Sequence, residues 1–215
     1  MDATETKKTL QEAKANAPER NFTQSVDVVI SLKNLDFKKP EDHVDFYAIM
    51  PNSIGRETKT CALVGPELFD EAKKHCDKVI RVEDFDKLDK KEVKALAKNY
   101  HFFIAQANIM AQVAKNFGRV LGPRGKMPDP KAGCVVAPKA SLEPVVERLS
   151  ITVRVSAKKD PVIHLLAGSE KQDEDEVAEN IAHLYNQLVT QLPLEVNNIK
   201  DAYVKLTMGS PVVLG

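Results

Sequence analysis

Side chains able to do chemistry are present but dispersed. His43, His75, His101, His164 and His183 lack the short spacings of a metal site. No Ser or Cys stands in the glycine-flanked turn that presents a hydrolase nucleophile. His75 next to Cys76 is a single adjacency and reads as structural. Cys61, Cys76 and Cys134 are odd in number and never form a C-x-x-C pair, so they suggest neither a disulfide framework nor zinc and read as small buried hydrophobes. The acidic run from Glu170 to Glu179 lacks the pattern of a calcium loop, and a helix start that favours negative charge explains it better.

Two stretches remain. Gly118 to Gly133 holds four glycines and three prolines, with Arg119, Arg124, Lys126 and Lys131 set against Asp129. Such a run reads as an irregular basic loop. It is not a P-loop: Gly125-Lys126 supplies the end of that motif, but Val120 and Met127 stand where the first glycine and the magnesium-binding hydroxyl belong. No G-x-G-x-x-G follows the apolar run at Cys61 either. A structural or RNA-contacting role is the better reading. The second stretch is the last strand, where Ala202, Val204 and Leu206 alternate with Asp201, Tyr203, Lys205 and Thr207 before Met208-Gly209-Ser210-Pro211. One face is dry and one wet, as in a half-buried edge strand, and the bare backbone at Gly209 lets a ligand come close.

Composition narrows the classes. The 215 residues suffice for one large or two modest domains. No run reaches the ~18 apolar residues of a membrane span, and the N-terminus lacks the apolar core of a secretion signal, so the default expectation is a cytoplasmic protein. Thirty-one basic residues balance 31 acidic ones, which argues against a general polyanion binder. The balance is uneven along the chain: Cys61 to Ser150 carries 16 basic and 12 acidic residues. Contact with nucleic acid must therefore rest on specific surfaces.

The elements that position these stretches can be read from periodicity. A helix with a Thr cap is expected from Thr4 to Ala15, its apolar stripe thin. Strands are expected at Val26 to Lys33 and Val44 to Met50, as a consecutive antiparallel pair. From about Thr60 the pattern becomes strand, helix, strand, helix: Cys61–Val64, Pro66–Cys76, Lys78–Val82, Lys90–Lys98, His101–Ala105 and Ile109–Phe117, then a short strand at Cys134–Ala137 and a helix at Ser141–Leu149. This order implies a parallel sheet covered by helices. After Ser150, Ile151–Ser156 and Val162–Leu166 read as a hairpin-like pair. The best helix comes next, at Asp173 to Gln191, with Asp173 as cap and Val177, Ile181, Leu184, Tyr185, Leu188 and Leu192 on one face.

The economical architecture is an α+β outer domain built from both termini, residues 1–59 and 151–215. An α/β three-layer Rossmann-like domain, residues 60–150, is inserted into it. Such a double connection can serve as a hinge.

Gly118 to Gly133, Arg20-Asn-Phe-Thr-Gln-Ser25, His101-Phe-Phe-Ile-Ala-Gln106 and Asp201 to Gly209 together closely resemble the archaeal form of the large-subunit ribosomal protein L-one family, the lateral stalk protein. The order Gly209-Ser210-Pro211 departs from the family, where proline usually comes directly after Thr-Met-Gly. The resemblance implies a non-enzymatic RNA-binding protein without cofactors, a monomer when free and not bound to membranes. Its expected partners are large-subunit rRNA, its own mRNA, whose translation it would repress through a mimic of the rRNA site, and exit-site tRNA at the mobile stalk.

Carried over by motif, the RNA-binding residues are Thr207, Met208 and Gly209. The Thr hydroxyl is expected to contact a ribose or base, and the methionine to pack on the sugar. Phe22, Thr23, Gln24 and Ser25 come next. Ser31, Lys33, Arg56, Arg154 and Lys158 are added after these, with Lys205; the polar strand faces Ser31 and Lys33, Arg154 and Ser156, and Tyr203, Lys205 and Thr207 are expected side by side on one open sheet, where hydroxyls and a few cations suit the shape and 2′-hydroxyls of folded RNA. Arg119, Arg124, Lys126 and Lys131 are expected to form a secondary or tRNA-contacting basic edge. The rival from another class is a nucleotide-dependent enzyme using the inserted α/β domain, which the missing phosphate fingerprint disfavours.

Overall fold

The computed structural model describes residues 3–214. Its backbone contacts separate two compact units: the chain up to Arg56 together with the chain from Ile151 onward, and Glu57–Ser150.

The first unit is organised by β1 (Ser25–Leu32), whose residues alternate half-buried and buried along its whole length. Val26, Val28 and Ile30 are fully buried and Leu32 nearly so. Burying each such side chain is worth about 1.5–3 kcal/mol, so this strand takes the centre of the sheet. It pairs antiparallel with β8 (Val162–Ser169) on one side and β9 (Ile199–Leu206) on the other. The short β10 (Val212–Val213) pairs with β9, giving the order β10-β9-β1-β8. The last long strand is thus internal over Tyr203 and Val204, where an edge strand was expected.

Two expected pairings do not form. β2 (Val44–Ile49) pairs with β7 (Thr152–Ala157) in a separate two-stranded ribbon, so β1 and β2 are not partners and β7 and β8 are not a hairpin. The reason is visible at the 158–161 turn: the Leu32 amide donates to the Pro161 carbonyl at 2.7 Å, which hands the chain on to β1 and away from β7. The long 33–43 connection likewise carries β2 off the sheet.

Helices α1 (Ala3–Ala15) and α6 (Glu174–Gln191) supply the other half of this core. Leu10 and Ala13 of α1 are fully buried, and Thr6 with them, so the thin apolar stripe is wide enough once a threonine joins it. Thr4 lies inside the first turn and does not cap it. On α6, Val177, Ile181, Leu184 and Leu188 face the same cluster. Asp173 caps α6 by accepting from the Asp175 amide at 3.1 Å. The acids behind it hold α1: Lys14 Nζ reaches Glu174 Oε1 at 3.0 Å, Gln11 Nε2 reaches Glu174 Oε2 at 2.9 Å, and Lys7 pairs with Asp175.

The second unit is a parallel sheet. β3 (Thr60–Val64), β4 (Lys78–Arg81), β5 (Phe102–Gln106) and β6 (Val135–Val136) lie in the order β4-β3-β5-β6. Every residue of β3 is buried, as expected of a strand covered on both faces. α2 (Phe69–His75), α3 (Lys90–Asn99), α4 (Met110–Leu121) and α5 (Glu143–Ser150) complete it. Val93 and Ala97 of α3 and Val113, Phe117 and Leu121 of α4 share one core with Cys61, Leu63, Phe103 and Ala105. Phe85 meets Phe117 edge-on with ring centroids 5.0 Å apart.

The run expected as a loop begins as helix, since α4 continues to Leu121. The irregular segment after Leu121 is clasped to α3. Lys126 Nζ donates to the Ala97 carbonyl at 2.9 Å and to the Tyr100 carbonyl at 2.7 Å, satisfying the orphan acceptors at the α3 C-terminus where positive charge is favoured. Replacing Lys126 with Met should therefore cost about 1–3 kcal/mol of stability. Urea titration of the purified chain reads this out, and an unchanged midpoint would mean that the ammonium is idle.

Candidate nucleic-acid interface

The start of β1 and the end of β9 meet at one end of the antiparallel sheet, where Val26 lies level with Leu206. Just beyond, the pairing is continued by a side chain. The Thr207 amide donates to the Ser25 carbonyl at 3.1 Å, and the Thr207 hydroxyl accepts from the Ser25 amide at 3.0 Å. The same hydroxyl lies 3.4 Å from the Ser25 carbonyl as its donor. Its first task is to stitch two segments 182 residues apart.

Gln24 does the same from the other side. Its side chain is only 3% exposed. Oε1 accepts from the Met208 amide at 3.1 Å and Nε2 donates to the Pro18 carbonyl at 3.0 Å. Its own carbonyl accepts from the Glu170 amide at 3.0 Å. One residue thereby ties together the exit of α1, the 207–209 turn and the loop after β8. Gln24 was expected as an RNA ligand; in the structure both ends of its side-chain amide are hydrogen-bonded within the protein.

The turn closes through the Gly209 amide, which donates to the Leu206 carbonyl at 3.0 Å. A Cβ on Gly209 would sit 3.2 Å from the Ala17 Cβ and 3.4 Å from the Leu206 Cβ. The glycine lets the turn lie against the end of α1, a packing reason that a sequence reading of Gly209 does not supply. Ser210 and Pro211 are exposed and lead into β10.

Around this stitched end the structure presents Phe22 and Met208, 51% and 52% exposed. Thr23 and Thr207 are exposed beside them, and Ser25 is half-buried. Both lie on segments tied by the Thr207 and Gln24 hydrogen bonds. Lys205 stands on the open sheet face level with Asp27. Burial pushes the Asp27 carboxyl upward, opposed by Lys205 and His164.

The remaining expected residues are not gathered there. Ser31 is six residues up β1, about 20 Å from Ser25, and Lys33 lies beyond the strand. Arg56 is exposed at the last residue of the first chain segment of this unit. Arg154 and Lys158 belong to the separate ribbon and are committed to Asp45. Arg154 forms a two-bond fork to the carboxylate at 3.0 and 3.1 Å, and Lys158 Nζ approaches it at 2.6 Å. The single open face carrying Ser31, Arg154, Ser156 and Tyr203 side by side therefore does not form. The open face of the main sheet is mixed in sign, with Asp27 and Asp201 against Lys205 and His164.

In the parallel-sheet unit, Arg119 and Lys131 are exposed, while Arg124 Nη1 leans on the Lys94 carbonyl at 3.4 Å and Lys126 caps α3. The crevice beyond β3 and β5, where open sheets of this kind bind ligands, is closed by the protein itself. Gln106 is 1% exposed. Its Oε1 takes the Gly65 amide at 2.9 Å and its Nε2 donates to Glu67 Oε2 at 3.1 Å. The amide that a nucleotide phosphate would need is occupied. Among the described residues no group of His, Cys, Asp or Glu is placed to hold a metal ion.

Two measurements test this geometry. Gln24→Leu leaves the Met208 amide and the Pro18 carbonyl without partners and should cost about 2–4 kcal/mol, counting roughly 1–2 for each stranded group. The amide-exchange protection of Met208 should fall with it. Asp45 gives a pH test. Burial alone would raise its carboxyl, but the hydrogen bonds from Arg154 and Lys158 outweigh burial and hold it below its usual value. A lowered folded-state value adds stability above the unfolded value of about 3.9, and that stability is lost as pH falls through the folded value. Asp45→Asn should thus lower the melting temperature at neutral pH and narrow its gap from the parent chain in acid.

The ribosomal protein L1p/L10e family model matches residues 10–210. The large ribosomal subunit protein uL1 of Methanothermococcus thermolithotrophicus is 40% identical over 98% of this chain and 98% of its own. The proteins of the same name from Methanothermobacter thermautotrophicus and Thermococcus kodakarensis are 40% and 39% identical, covering 95% and 94% of this chain and 95% and 93% of theirs. No helix among the described residues is long and apolar enough to cross a membrane. With similarity running along nearly its whole length, this chain belongs to the ribosomal protein L1p/L10e family.

Proposed function

We propose that the unit built from both chain ends is a non-enzymatic RNA-binding domain. It would hold a folded segment of large-subunit rRNA against Phe22, Thr23, Ser25 and the Thr207–Gly209 turn. The observation that carries this reading is the pair of outward apolar side chains, Phe22 and Met208, fixed on segments stitched together by Thr207 and Gln24. Riboses and bases offer apolar surface to such side chains and 2′-hydroxyls to the neighbouring threonines. Family membership supports a place in the large ribosomal subunit, at the lateral stalk beside the exiting tRNA, whose release the protein would assist. The same surface would take an mRNA segment that copies the rRNA fold, and so repress translation of the protein's own message. The bound form is ribosome-associated in the cytoplasm, and the free protein a monomer.

Charge supports shape recognition over electrostatic capture. The chain is neutral overall, and the open sheet face beside the site mixes acids with cations. Binding to a stalk rRNA fragment should accordingly lose affinity with salt at a log-log slope of only a few, each neutralised phosphate adding about −0.7 to −0.9. A slope steeper than about −6 would contradict it. Met208→Ala should weaken the complex with the fold intact. Thr207→Val should weaken it by about 1–3 kcal/mol and also slacken the Ser25 stitch, so its melting curve must be recorded in parallel. Full affinity in both variants would move the site elsewhere.

A further inference from the structure

His101 opens a motif that the outer-unit site does not use, and it makes two hydrogen bonds with a single residue. Its backbone amide donates to the Lys59 carbonyl at 2.8 Å, and the Lys59 amide donates to its ring Nδ1 at 3.0 Å. Regular pairing of β3 with β5 begins one residue later, where Thr60 lies level with Phe102. The imidazole thus adds a rung ahead of the first backbone rung. It does so close to Glu57, where the chain enters the parallel-sheet unit.

This rung depends on the charge of the ring. A backbone N–H can only donate, so Nδ1 must carry a lone pair and the neutral ring must hold its proton on Nε2. Protonation fills that lone pair and sets two donors against each other. His43 shows the contrast: its Nε2 lies 2.9 Å from the Phe37 carbonyl, an acceptor that a charged ring serves as well as a neutral one. His101 is half-buried, so protons from solvent can reach it. Histidine is the side chain whose ordinary charge change falls between about pH 5 and 8.

The entering connection is pinned at both ends by side chains. On the outer unit the Ser53 carbonyl accepts from Gln172 Nε2 at 2.9 Å and from Asn180 Nδ2 at 3.1 Å, and the Asn52 amide donates to Asn180 Oδ1 at 3.1 Å. On the parallel-sheet unit the Lys59 amide is held by His101 and the Thr60 amide by Asp77 Oδ2 at 2.7 Å. Loss of the imidazole bond moves the first pinned amide from Lys59 to Thr60. Charged groups of both signs come from the segments around the ring: Asp77 before β4, Lys59 itself, and Lys126, whose ammonium sits on the Tyr100 carbonyl at 2.7 Å. Glu57, His75, Lys78 and Lys98 are the other charged or titratable side chains of these segments. Burial pushes the Tyr100 phenol and the Cys61 and Cys76 thiols upward, so they stay neutral where a histidine titrates.

We propose that His101 is a proton-sensitive latch on the entry to the parallel-sheet unit. Neutral, it holds Lys59 in line with β5. Protonated, it releases the Lys59 amide and lengthens the unpinned part of the connection by one residue.

The test uses the full chain, labelled with nitrogen-15. Long-range proton–nitrogen spectra of the imidazoles give the tautomer and titration of His101, and amide exchange on the same sample gives the protection of Lys59 after correction for the intrinsic pH dependence. At neutral pH the ring should be the Nε2–H tautomer. The Lys59 protection should fall by about three- to tenfold as the ring becomes charged, the loss of one hydrogen bond, with Leu63 in the middle of β3 unchanged. His101→Asn offers an acceptor in place of Nδ1 at every pH and should keep Lys59 protected in acid. His101→Phe offers none and should leave Lys59 at its acid level throughout, with circular dichroism checking the fold of both variants. An Nδ1–H tautomer at neutral pH, a ring that stays neutral down to acid unfolding, or a Lys59 protection that ignores the His101 titration would each overturn the proposal. So would acid loss of protection in His101→Asn equal to that of the parent, which would assign the change to another group such as Asp77.

Discussion

The antiparallel contact of β1 with β9 is the constraint on which the outer unit depends. It joins residues near the two ends of the chain, and its last rungs are made by Thr207 and Gln24 after regular pairing has stopped. Closing so long a loop is less expensive than its length suggests, because closure entropy grows only with the logarithm of length, about 0.6 kcal/mol for each doubling. A parallel-sheet unit of its own can therefore sit between β2 and β7 at small thermodynamic cost. What must be supplied is a central strand apolar enough to hold both neighbours, and the buried row Val26, Val28, Ile30 and Leu32 is that strand.

The same contact converts a packing feature into a surface. Thr207 and Gln24 hydrogen-bond within the protein at the sheet end, and Phe22, Thr23 and Met208 beside them are exposed. The turn cannot relax toward α1, because Gly209 already lies on Ala17. Rigid presentation of exposed apolar groups reduces the ordering cost of binding, which is where preorganised recognition gains affinity. The parallel-sheet unit manages its polar groups in the opposite sense. Gln106 fills the crevice beyond β3, and Lys126 closes the end of α3.

Several readings from the sequence hold at the level of local pattern. Strand and helix positions agree within a few residues because alternation and the 3.6-residue period are written directly in side-chain polarity: β3 begins one residue before Cys61 and α6 one after its Asp173 cap. Pairing is a different matter. β1 and β2 are consecutive in the chain yet lie in different sheets, as do β7 and β8, since each strand chose the neighbour that completed a buried face rather than the nearest in sequence. Arg154 and Lys158 illustrate the consequence. Their charges were legible, but Asp45, the partner that occupies them, comes from a strand more than a hundred residues away.

By itself, then, the sequence determined which residues are dry and which wet, where the chain turns, and through its long motifs the family to which it belongs. It could not determine what each polar atom spends its hydrogen bonds on. That depends on which backbone groups arrive beside it from distant segments, as Pro18, Met208 and Glu170 arrive at Gln24. Which polar atoms are already engaged within the protein is a property of those long-range bonds. Only the tertiary structure decided it, because a side chain with its donors and acceptors satisfied inside the protein has few left to offer outside.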